Sequence, residues 1–496
     1  MINRIVVEVL RLVLMVCRLP VLRSPRVYAL LGTAWAQPLL EHWGRRRAVD
    51  VHRVAARRCP AYGAFLRAQG APVSRGIAGF GSVPITTKSN YVLEHSIESR
   101  CLGGKIPARG VVIDESSGSS GEPNNWVRGR AEREAVRRLL RHGLALTYRG
   151  ESLFLLNCFA LGPWATGMNL SMSLADSVIL KSIGPDRAKL ESTLRRFGPG
   201  YRYAVAGYPP FIKDWMDSTG LDLSGYEMHL IVGGEGISEG LRDRFLRVFR
   251  SVRSSYGASD LEINIAAETP LSIRVRRLCA ERPGLCAALF GTETPPMVFQ
   301  YNPLDYLVER SPAGELVITL LRRGNVAPKV RYNIMDLGGS VTHRAMVRAL
   351  GAHGVDVASL PSPSLAFPFL FVCGRSDLSV AFYGAKIRTS DLDAVLNNDP
   401  VLREVFHSYQ MSVERDERLD PVLRVMLERS RGSAAETPGG LSERLYEAIA
   451  AVNQDFREVT RMFGPERIVV EVFAFGEGPF AARDIRVKQR YIGGED

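Results

Sequence analysis

The chain has 496 residues, of which 46% are hydrophobic and 23% are charged. These proportions are typical of globular proteins and exclude a largely disordered or collagen-like chain, and a length of this order predicts two or three folding units. The formal net charge is +12, but basic composition alone is a weak indicator of nucleic acid binding, and we predict no nucleic acid partner.

The first 60 residues are strongly basic, with 11 arginines against 3 acidic residues. Arg4, Arg11 and Arg18 recur every seven residues, which predicts an amphipathic helix with the arginines near one face. Such a helix usually packs on its own domain; the alternative is that residues 1–22 contact an anionic membrane surface or an acidic protein. Charged residues interrupt the apolar stretch 5–22, so we predict no transmembrane span.

The seven cysteines are scattered along the chain and form no CxxC pair. This pattern argues against a disulfide framework and against a compact zinc site. A reducing, cytoplasmic setting fits it best.

Helical and strand patterns alternate from residue 130 onward. Residues 130–145 have helical spacing, and residues 151–159 read as a buried strand. Short apolar runs ending at glycine or a charge predict further buried strands at YRYAVAG, MHLIVGGE and ELVITLL, with a helix at LRDRFLRVFRSV (residues 241–252). The alternation predicts an α/β architecture.

A second unit begins near residue 375. The predicted strand FLFVCG leads there into Gly374-Arg375-Ser376-Asp377, and the rest of the chain mixes short strands with two amphipathic helices, at DLDAVL and SERLYEAIAAVNQDF. Residues 432–440 are rich in small residues and turn formers, which predicts a flexible connection inside this smaller unit.

The segment 114–123, DESSGSSGEP, is a loop rich in hydroxyls and glycines that follows the apolar run VVI. Glycines let backbone N–H groups converge on an anion, and serine hydroxyls add donors without bulk. A Ser/Gly loop by itself is more often a solvated turn, and the Walker pattern GxxxxGK[ST] is absent.

Five motifs in order resemble those of the adenylate-forming (AMP-binding) superfamily, and within it the phenylacetate-CoA ligase-like branch. Residues 116–123 resemble the phosphate loop SSGTTGxP, and Gly233-Gly234-Glu235 follows it. Residues 256–260 (YGASD) resemble YGxTE, and residues 331–337 (RYNIMDL) resemble YRTGDL. Residues 374–377 with Gly384 resemble the hinge segment GRxDxxxxxxG.

The resemblance implies a fold and an activity. The implied fold is α/β: a large N-terminal domain, residues 1–375, with mixed β-sheets flanked by helices and a basic helical segment at 1–60, plus a smaller mobile α+β domain, residues 376–496. The implied activity is Mg²⁺-dependent activation of a carboxylate by ATP as an acyl-adenylate, with release of pyrophosphate. CoA is the default acceptor; transfer to an amine or a carrier-protein thiol, or a degenerate nucleotide-binding homologue without activity, are the alternatives.

The resemblance also assigns nucleotide-binding roles to residues. The phosphates fall to the loop, the adenine to Tyr256 and Gly234, and the ribose to Asp336 and Arg375. The full set of implied nucleotide-binding residues is Ser116, Ser117, Gly118, Ser119, Ser120, Gly121, Gly234, Glu235, Tyr256, Gly257, Ser259, Asp336 and Arg375.

Three further roles follow from matched positions. Asp260 stands where the family places a Mg²⁺-binding Glu; because its side chain is shorter, Glu262 is the alternative ligand. Lys488, one of eight lysines, matches the C-terminal catalytic lysine, although a solvated strand lysine is the plain alternative. Asp377 is the implied hinge about which the small domain rotates.

The sequence departs from the family pattern at several positions. Ser119 and Ser120 replace two threonines but keep their hydroxyls. Glu122 stands in the phosphate loop, where a carboxylate weakens triphosphate binding unless it faces away or meets Mg²⁺. Met335 occupies the position of a glycine in YRTGDL.

The segment GYPP at 207–210 follows an apolar strand and resembles the border of the acyl pocket in this branch. Gly207, Tyr208 and Trp164 are the implied pocket residues, with Phe159 and Phe211 as further aromatic candidates. Aromatic residues at such spacings are more often plain core. A pocket of this composition would suit an apolar or aromatic carboxylate.

Overall fold

The computed structural model describes residues 32–116, 124–148, 152–234, 236–292, 295–361, 365–375, 379–388, 391–392, 395–396, 399–430 and 436–481. Several predictions therefore lie outside the described residues: the N-terminal helix at 1–22, most of the Ser/Gly loop (117–123), Glu235, Asp377 and Lys488.

A two-stranded hairpin carries the Ser/Gly segment. Strands β1 (Val112–Ser116) and β2 (Asn124–Arg128) pair antiparallel, with Ser116 opposite Asn124. The loop thus joins two paired strands, and the predicted helix at 130–145 begins only after β2.

The main sheet has eleven strands and mixed topology. Its parallel part runs in the order β4-β3-β5-β6-β7, and its antiparallel part continues through β8-β9-β13-β12-β11-β10. The strands are β3 (Phe154–Asn157), β4 (Ile179–Ser182), β5 (Arg202–Gly207), β6 (Glu227–Gly233), β7 (Ser251–Tyr256), β8 (Ala266–Ala267), β9 (Met297–Tyr301), β10 (Tyr306–Arg310), β11 (Glu315–Leu320), β12 (Tyr332–Val341) and β13 (Phe369–Arg375).

Helices cover this sheet and bury its apolar side chains. Because β3 and β5 are buried almost throughout, they show the continuous apolar runs of strands covered on both faces. The helices of this part are α1 (Gln37–Arg58), α2 (Pro60–Ala68), α3 (Arg130–Thr147), α4 (Ala165–Leu174), α5 (Arg187–Phe197), α6 (Pro209–Ser218), α7 (Glu239–Phe245), α8 (Pro270–Glu281), α9 (Pro283–Phe290) and α10 (His343–Ala352).

The C-terminal part has its own core. The aromatic rings of Phe382, Phe456 and Phe463 pack against one another between its sheets and helices. Its elements are β14 (Ser379–Phe382), β15 (Ala385–Arg388), α11 (Pro400–Val405), β16 (Phe406–Arg415), β17 (Pro421–Arg429), α12 (Leu441–Val452), α13 (Gln454–Val459) and β18 (Ile468–Phe473). β16 and β17 are antiparallel, and β17 and β18 are parallel.

Two predicted helices differ from those in the structure. The helix predicted over 241–252 ends at Phe245, because Ser251 and the residues after it pair with β6 as strand β7. The helix predicted over 442–456 is two helices, because the side chain of Asn453 accepts a hydrogen bond from the Phe456 N–H and caps the start of α13.

The six cysteines in the described residues are all free. Five of them are buried, and Cys373, on β13, is exposed. Among the described helices, none has the length and apolar character needed to cross a bilayer.

Candidate active site

A cavity of about 1400 Å³ lies beyond the carboxyl ends of the parallel strands. The residues that follow β5, β6 and β7 reach it at Tyr208, Gly234 and Gly257. This edge is where α/β sheets generally place their ligands.

Most of the predicted site residues that the structure describes meet in this one cavity. Its lining includes Trp164, Tyr208, Gly234, Tyr256, Gly257, Ser259, Asp260 and Asp336. Gly207 is not among the lining residues; it faces Ile212 and Cys158.

The Ser/Gly loop begins at the rim of the cavity. Glu115 on β1 lines it, and the residue after it, Ser116, ends the strand that leads into the loop. The N–H of Glu115 donates to the carbonyl of Pro163, which holds the hairpin beside Trp164.

Asp336 lies within strand β12. Its backbone pairs with that of Arg375 on β13, so the two residues predicted to hold the ribose are neighbours in the sheet. Asp336 follows Met335, whose φ of 63° is in the left-handed region, and the strand register shifts just after it. The backbone therefore departs from regular strand geometry on both sides of Asp336.

Tyr256 is held between the carboxylate of Asp336 and an aromatic ring. Its hydroxyl donates a hydrogen bond of 2.6 Å to Oδ2 of Asp336, and its ring packs on Phe299 with centroids 5.6 Å apart. The pair links two motifs that are 80 residues apart in the chain.

Asp260 and Glu262 have different surroundings. The carboxylate of Asp260 lines the cavity and accepts a hydrogen bond of 2.8 Å from the Tyr332 hydroxyl. Glu262 is 2% exposed, pairs with Arg322 and accepts a 2.6 Å hydrogen bond from Tyr306. The alternative metal ligand is thus enclosed in a buried ion pair away from the cavity.

A buried layer of charge lies behind Asp260. Arg128 pairs with Asp114 at 3.0 Å and with Glu132 at 2.8 Å, and it donates to the carbonyls of Ser259 and Leu261. Burial raises the pKa of Glu132 to about 7, against the opposing effect of the Arg128 charge.

Lys329 belongs to the same layer. Its ammonium lies over the rings of Trp126, at 3.9 Å from the centroid, and Tyr332, at 4.9 Å. Burial, followed by the nearby charges of Arg128 and Arg100, lowers the pKa of Lys329 to about 7.

Sequence reasoning missed both Arg128 and Lys329. The available signal was the placement of Arg128, a charged residue two positions from a tryptophan in the strand directly after the Ser/Gly loop. A charge on the same face of a strand as a large apolar side chain is a reason to expect a buried partner.

One wall of the cavity is apolar and aromatic. The ring of Tyr208 lies against Gly234, where a Cβ atom would stand 2.5 Å from Cε1 of the ring. Trp164, Ile183 and Phe211 also line this wall. Phe159 packs behind it, edge-on to Tyr208 at 5.1 Å, and is core as the plain alternative expects.

The C-terminal part closes another side of the cavity. Lys386 on β15 lines it, together with Asp455, Glu458 and Met462 in and after α13. Lys88, from the segment after α2, also lines the cavity, and the sequence motifs did not predict it.

The two parts are joined by specific contacts outside the cavity. Buried Lys213 on α6 pairs with Asp217 at 2.7 Å and with Asp420 at 2.8 Å, and Arg244 donates to the carbonyl of Arg418 at 2.9 Å. A turn of the C-terminal part is thereby anchored on helices α6 and α7.

The described residues contain no cluster of three or more His, Cys, Asp or Glu side chains able to hold a metal ion. Mg²⁺ in phosphate-transfer sites is usually held by one or two carboxylates together with substrate phosphates, so a single carboxylate such as Asp260 fits that mode.

The sequence matches no family model and no curated protein. Among solved structures, 2-hydroxyisobutyryl-CoA ligase with 2-HIB-AMP and CoA in its thioesterification state matches at 16% identity and a TM-score of 0.61, over 90% of this chain and 88% of that one. The chain therefore has the fold of this ligase. The predicted fold class is thus confirmed.

Two other states of the same ligase match the chain less closely. Its postadenylation state with 2-HIB-AMP gives a TM-score of 0.52 at 17% identity, over 93% of this chain and 90% of that one. Its open conformation with 2-HIB-AMP and CoA gives a TM-score of 0.51 at 16% identity, over 93% of this chain and 92% of that one.

Proposed function

We propose that the protein uses ATP to activate a carboxylate as an acyl-adenylate and then transfers the acyl group to a thiol, with CoA as the preferred acceptor. The observation that carries the proposal is the meeting of Tyr256, Asp260 and Asp336 in one cavity of this fold. These three residues were assigned to adenine, Mg²⁺ and ribose from two motifs, Tyr256 and Asp260 from residues 256–260 and Asp336 from residues 331–337.

In the first step a carboxylate oxygen of the substrate attacks the α-phosphorus of ATP, and the bond to pyrophosphate breaks. The Asp336 carboxylate is suited to accept hydrogen bonds from the ribose hydroxyls, and the Tyr256 ring to lie against the adenine. The Ser/Gly loop is assigned to the phosphates, and the position of Glu115 in the cavity lining, just before the loop on β1, supports this role.

Asp260 is the residue that would hold Mg²⁺. In the described part of the chain, its carboxylate has a single hydrogen bond, from Tyr332, which leaves it able to accept a further partner on the cavity side. The bound ion would offset the negative charge of the phosphates.

In the second step the acceptor thiolate attacks the acyl carbon, and AMP leaves. The closer match to the thioesterification state, 0.61 against 0.52 and 0.51, supports an arrangement of the C-terminal part suited to this step. Lys386 and the residues of α13 at the cavity would then face the acceptor. An amine or a carrier-protein thiol as acceptor remains the second candidate.

Two assigned roles depend on residues outside the described ranges. Lys488 is proposed to supply positive charge to the adenylation transition state, and Asp377 to act as the hinge. For the carboxylate itself, the wall formed by Trp164, Tyr208 and Phe211 favours an apolar or aromatic acid.

The test is ATP–pyrophosphate exchange with a panel of aliphatic, aromatic and hydroxylated carboxylates, followed by thioester detection with CoA. We expect exchange that requires Mg²⁺ and is strongest with apolar or aromatic acids. ATP binding without exchange for any acid would favour the degenerate homologue instead. Exchange without a CoA thioester would move the acceptor to an amine or a carrier protein.

A further inference from the structure

Arg128 occupies an unusual place for a charged residue. It lies on β2, the strand that follows the Ser/Gly loop, and is 5% exposed. Its Nε donates to Asp114 on the paired strand at 3.0 Å, and its Nη1 donates to Glu132 at 2.8 Å. These two carboxylates compensate the guanidinium and fix its plane.

The same guanidinium also binds the main chain of another segment. Its Nη1 and Nη2 groups donate to the carbonyls of Leu261 and Ser259, the residues on either side of Asp260. One planar group with several fixed donors therefore holds both peptide flanks of the proposed metal ligand.

A second contact, from Tyr332 on β12, holds the carboxylate of Asp260. The Tyr332 hydroxyl donates to it at 2.8 Å, and the ring of Tyr332 lies under the ammonium of Lys329. Lys329 in turn lies over Trp126, which is two residues from Arg128 on β2 and hence on the same face. Strand β2 thus supports the main chain on both sides of Asp260 through Arg128. It supports the Asp260 carboxylate indirectly, from Trp126 through Lys329 and Tyr332.

We propose that Arg128 is a positioning residue that keeps Asp260 at a fixed distance and orientation relative to strands β1 and β2. The inference rests on the proposed function. Arg128 is absent from the cavity lining, and it acts through the residues it holds. The hairpin and the Asp260 segment would consequently move as one unit when Mg²⁺ and ATP bind.

A lysine at position 128 could not make the same set of hydrogen bonds. A single ammonium lacks the planar set of donors needed to reach two carboxylates and two carbonyls at once. A displacement of about 1 Å in a group that must meet its partner precisely can lower the reaction rate on the order of 10²-fold. We therefore expect Arg128→Lys to weaken Mg²⁺-dependent ATP binding at least tenfold and to change AMP affinity less than about twofold, because AMP binding uses Asp336 and Tyr256.

The experiment is isothermal calorimetry of the full chain with two probes: ATP at a series of MgCl₂ concentrations, and AMP without Mg²⁺. The matched control is Arg242→Lys. Arg242 is 1% exposed, pairs with Glu268 at 2.6 Å and donates to the Val252 carbonyl at 3.0 Å, so it is a buried arginine of the same kind away from Asp260.

A purely structural role would lower the thermal midpoint of both arginine variants and leave the ratio of Mg²⁺-ATP to AMP affinity unchanged. That result overturns the inference. If Arg128→Lys is insoluble, Asp114→Asn carries the test, because it loosens the guanidinium while leaving it in place, and we expect the same loss in smaller measure. Wild-type protein that binds neither nucleotide would instead defeat the proposed function.

Discussion

The hydroxyl of Tyr256 donates a hydrogen bond of 2.6 Å to Oδ2 of Asp336. The two residues come from strands β7 and β12, which are not neighbours in the sheet, so the bond ties together the parallel and antiparallel parts at the cavity. It orients the carboxylate that we assign to the ribose and fixes the ring that we assign to the adenine.

Replacing Asp336 should remove nucleotide binding and leave the fold intact. A hydrogen bond to a charged group contributes about 1.5–3 kcal/mol, so losing two to a ribose should weaken AMP binding about 100-fold or more in Asp336→Ala. Calorimetry with AMP measures this without knowledge of the carboxylate. Tyr256→Phe is the control, because it keeps the carboxylate and should lose less; wild-type AMP affinity in Asp336→Ala would remove the ribose assignment.

Met335 is held at a φ of 63°, a conformation that costs a residue with a Cβ about 1–2 kcal/mol. We expect Met335→Gly to stabilise the protein by about 1 kcal/mol, seen as a rise of about 2 °C in the thermal midpoint. Arg331→Gly is the matched comparison. Arg331 also has a positive φ, of 47°, but its guanidinium pairs with Glu309, so its loss should destabilise. Destabilisation by both variants would show that Met335 is not strained.

The pair between Lys213 and Asp420 joins the two parts of the chain at 2.8 Å. If adenylation needs a different arrangement of the C-terminal part, Asp420→Asn should favour it by weakening this contact. A change of about 1 kcal/mol would raise the ratio of pyrophosphate exchange to thioester formation about fivefold. The control is Asp399→Asn, whose partner Arg444 lies at 2.6 Å within the same part, and an equal shift in both variants would contradict the prediction.

Protonation of His52 should lower the stability of the folded protein in mild acid. His52 is fully buried on α1, its Nε2 accepts the Ser74 N–H at 3.0 Å, and burial lowers its pKa from 6.5 to about 4. Because the fold favours the neutral ring, this contribution is complete above pH 6.5 and is lost as the pH falls toward 4. From pH 7.5 to 4.5 the loss is about 2–3 kcal/mol.

Thermal midpoints at pH 7.5 and 4.5 measure that effect. The difference between the two should be smaller in His52→Gln than in the wild type, since glutamine does not titrate. His42→Gln, an exposed position on the same helix, should behave like the wild type. An unchanged pH dependence in His52→Gln would refute the prediction.

The sequence was informative wherever a local pattern and the tertiary structure agree. The apolar runs at β5, β6 and β11 are strands because they lie inside a covered sheet, which is the setting their composition indicates. The helix over 241–252 was wrong at its end because strand pairing with β6 overrides the helical spacing after Phe245.

In the site, motif order predicted the residues that touch the cavity better than those that hold them. Asp260 and Asp336 stand in recognisable motifs, so they were assigned. Arg128 has no motif: its importance depends on a contact with Ser259, 131 residues further along the chain. Contacts of that kind are set by the fold and produce no recognisable residue spacing in the sequence.

Exposure of Cys373 gives the protein a natural attachment point. The other described cysteines are buried, so once Cys17 is replaced, a thiol-reactive probe should attach mainly at this residue, two positions before Arg375 and beside the junction of the two parts. A spin label or dye there would report on rearrangement at the junction during turnover, without engineering a new cysteine.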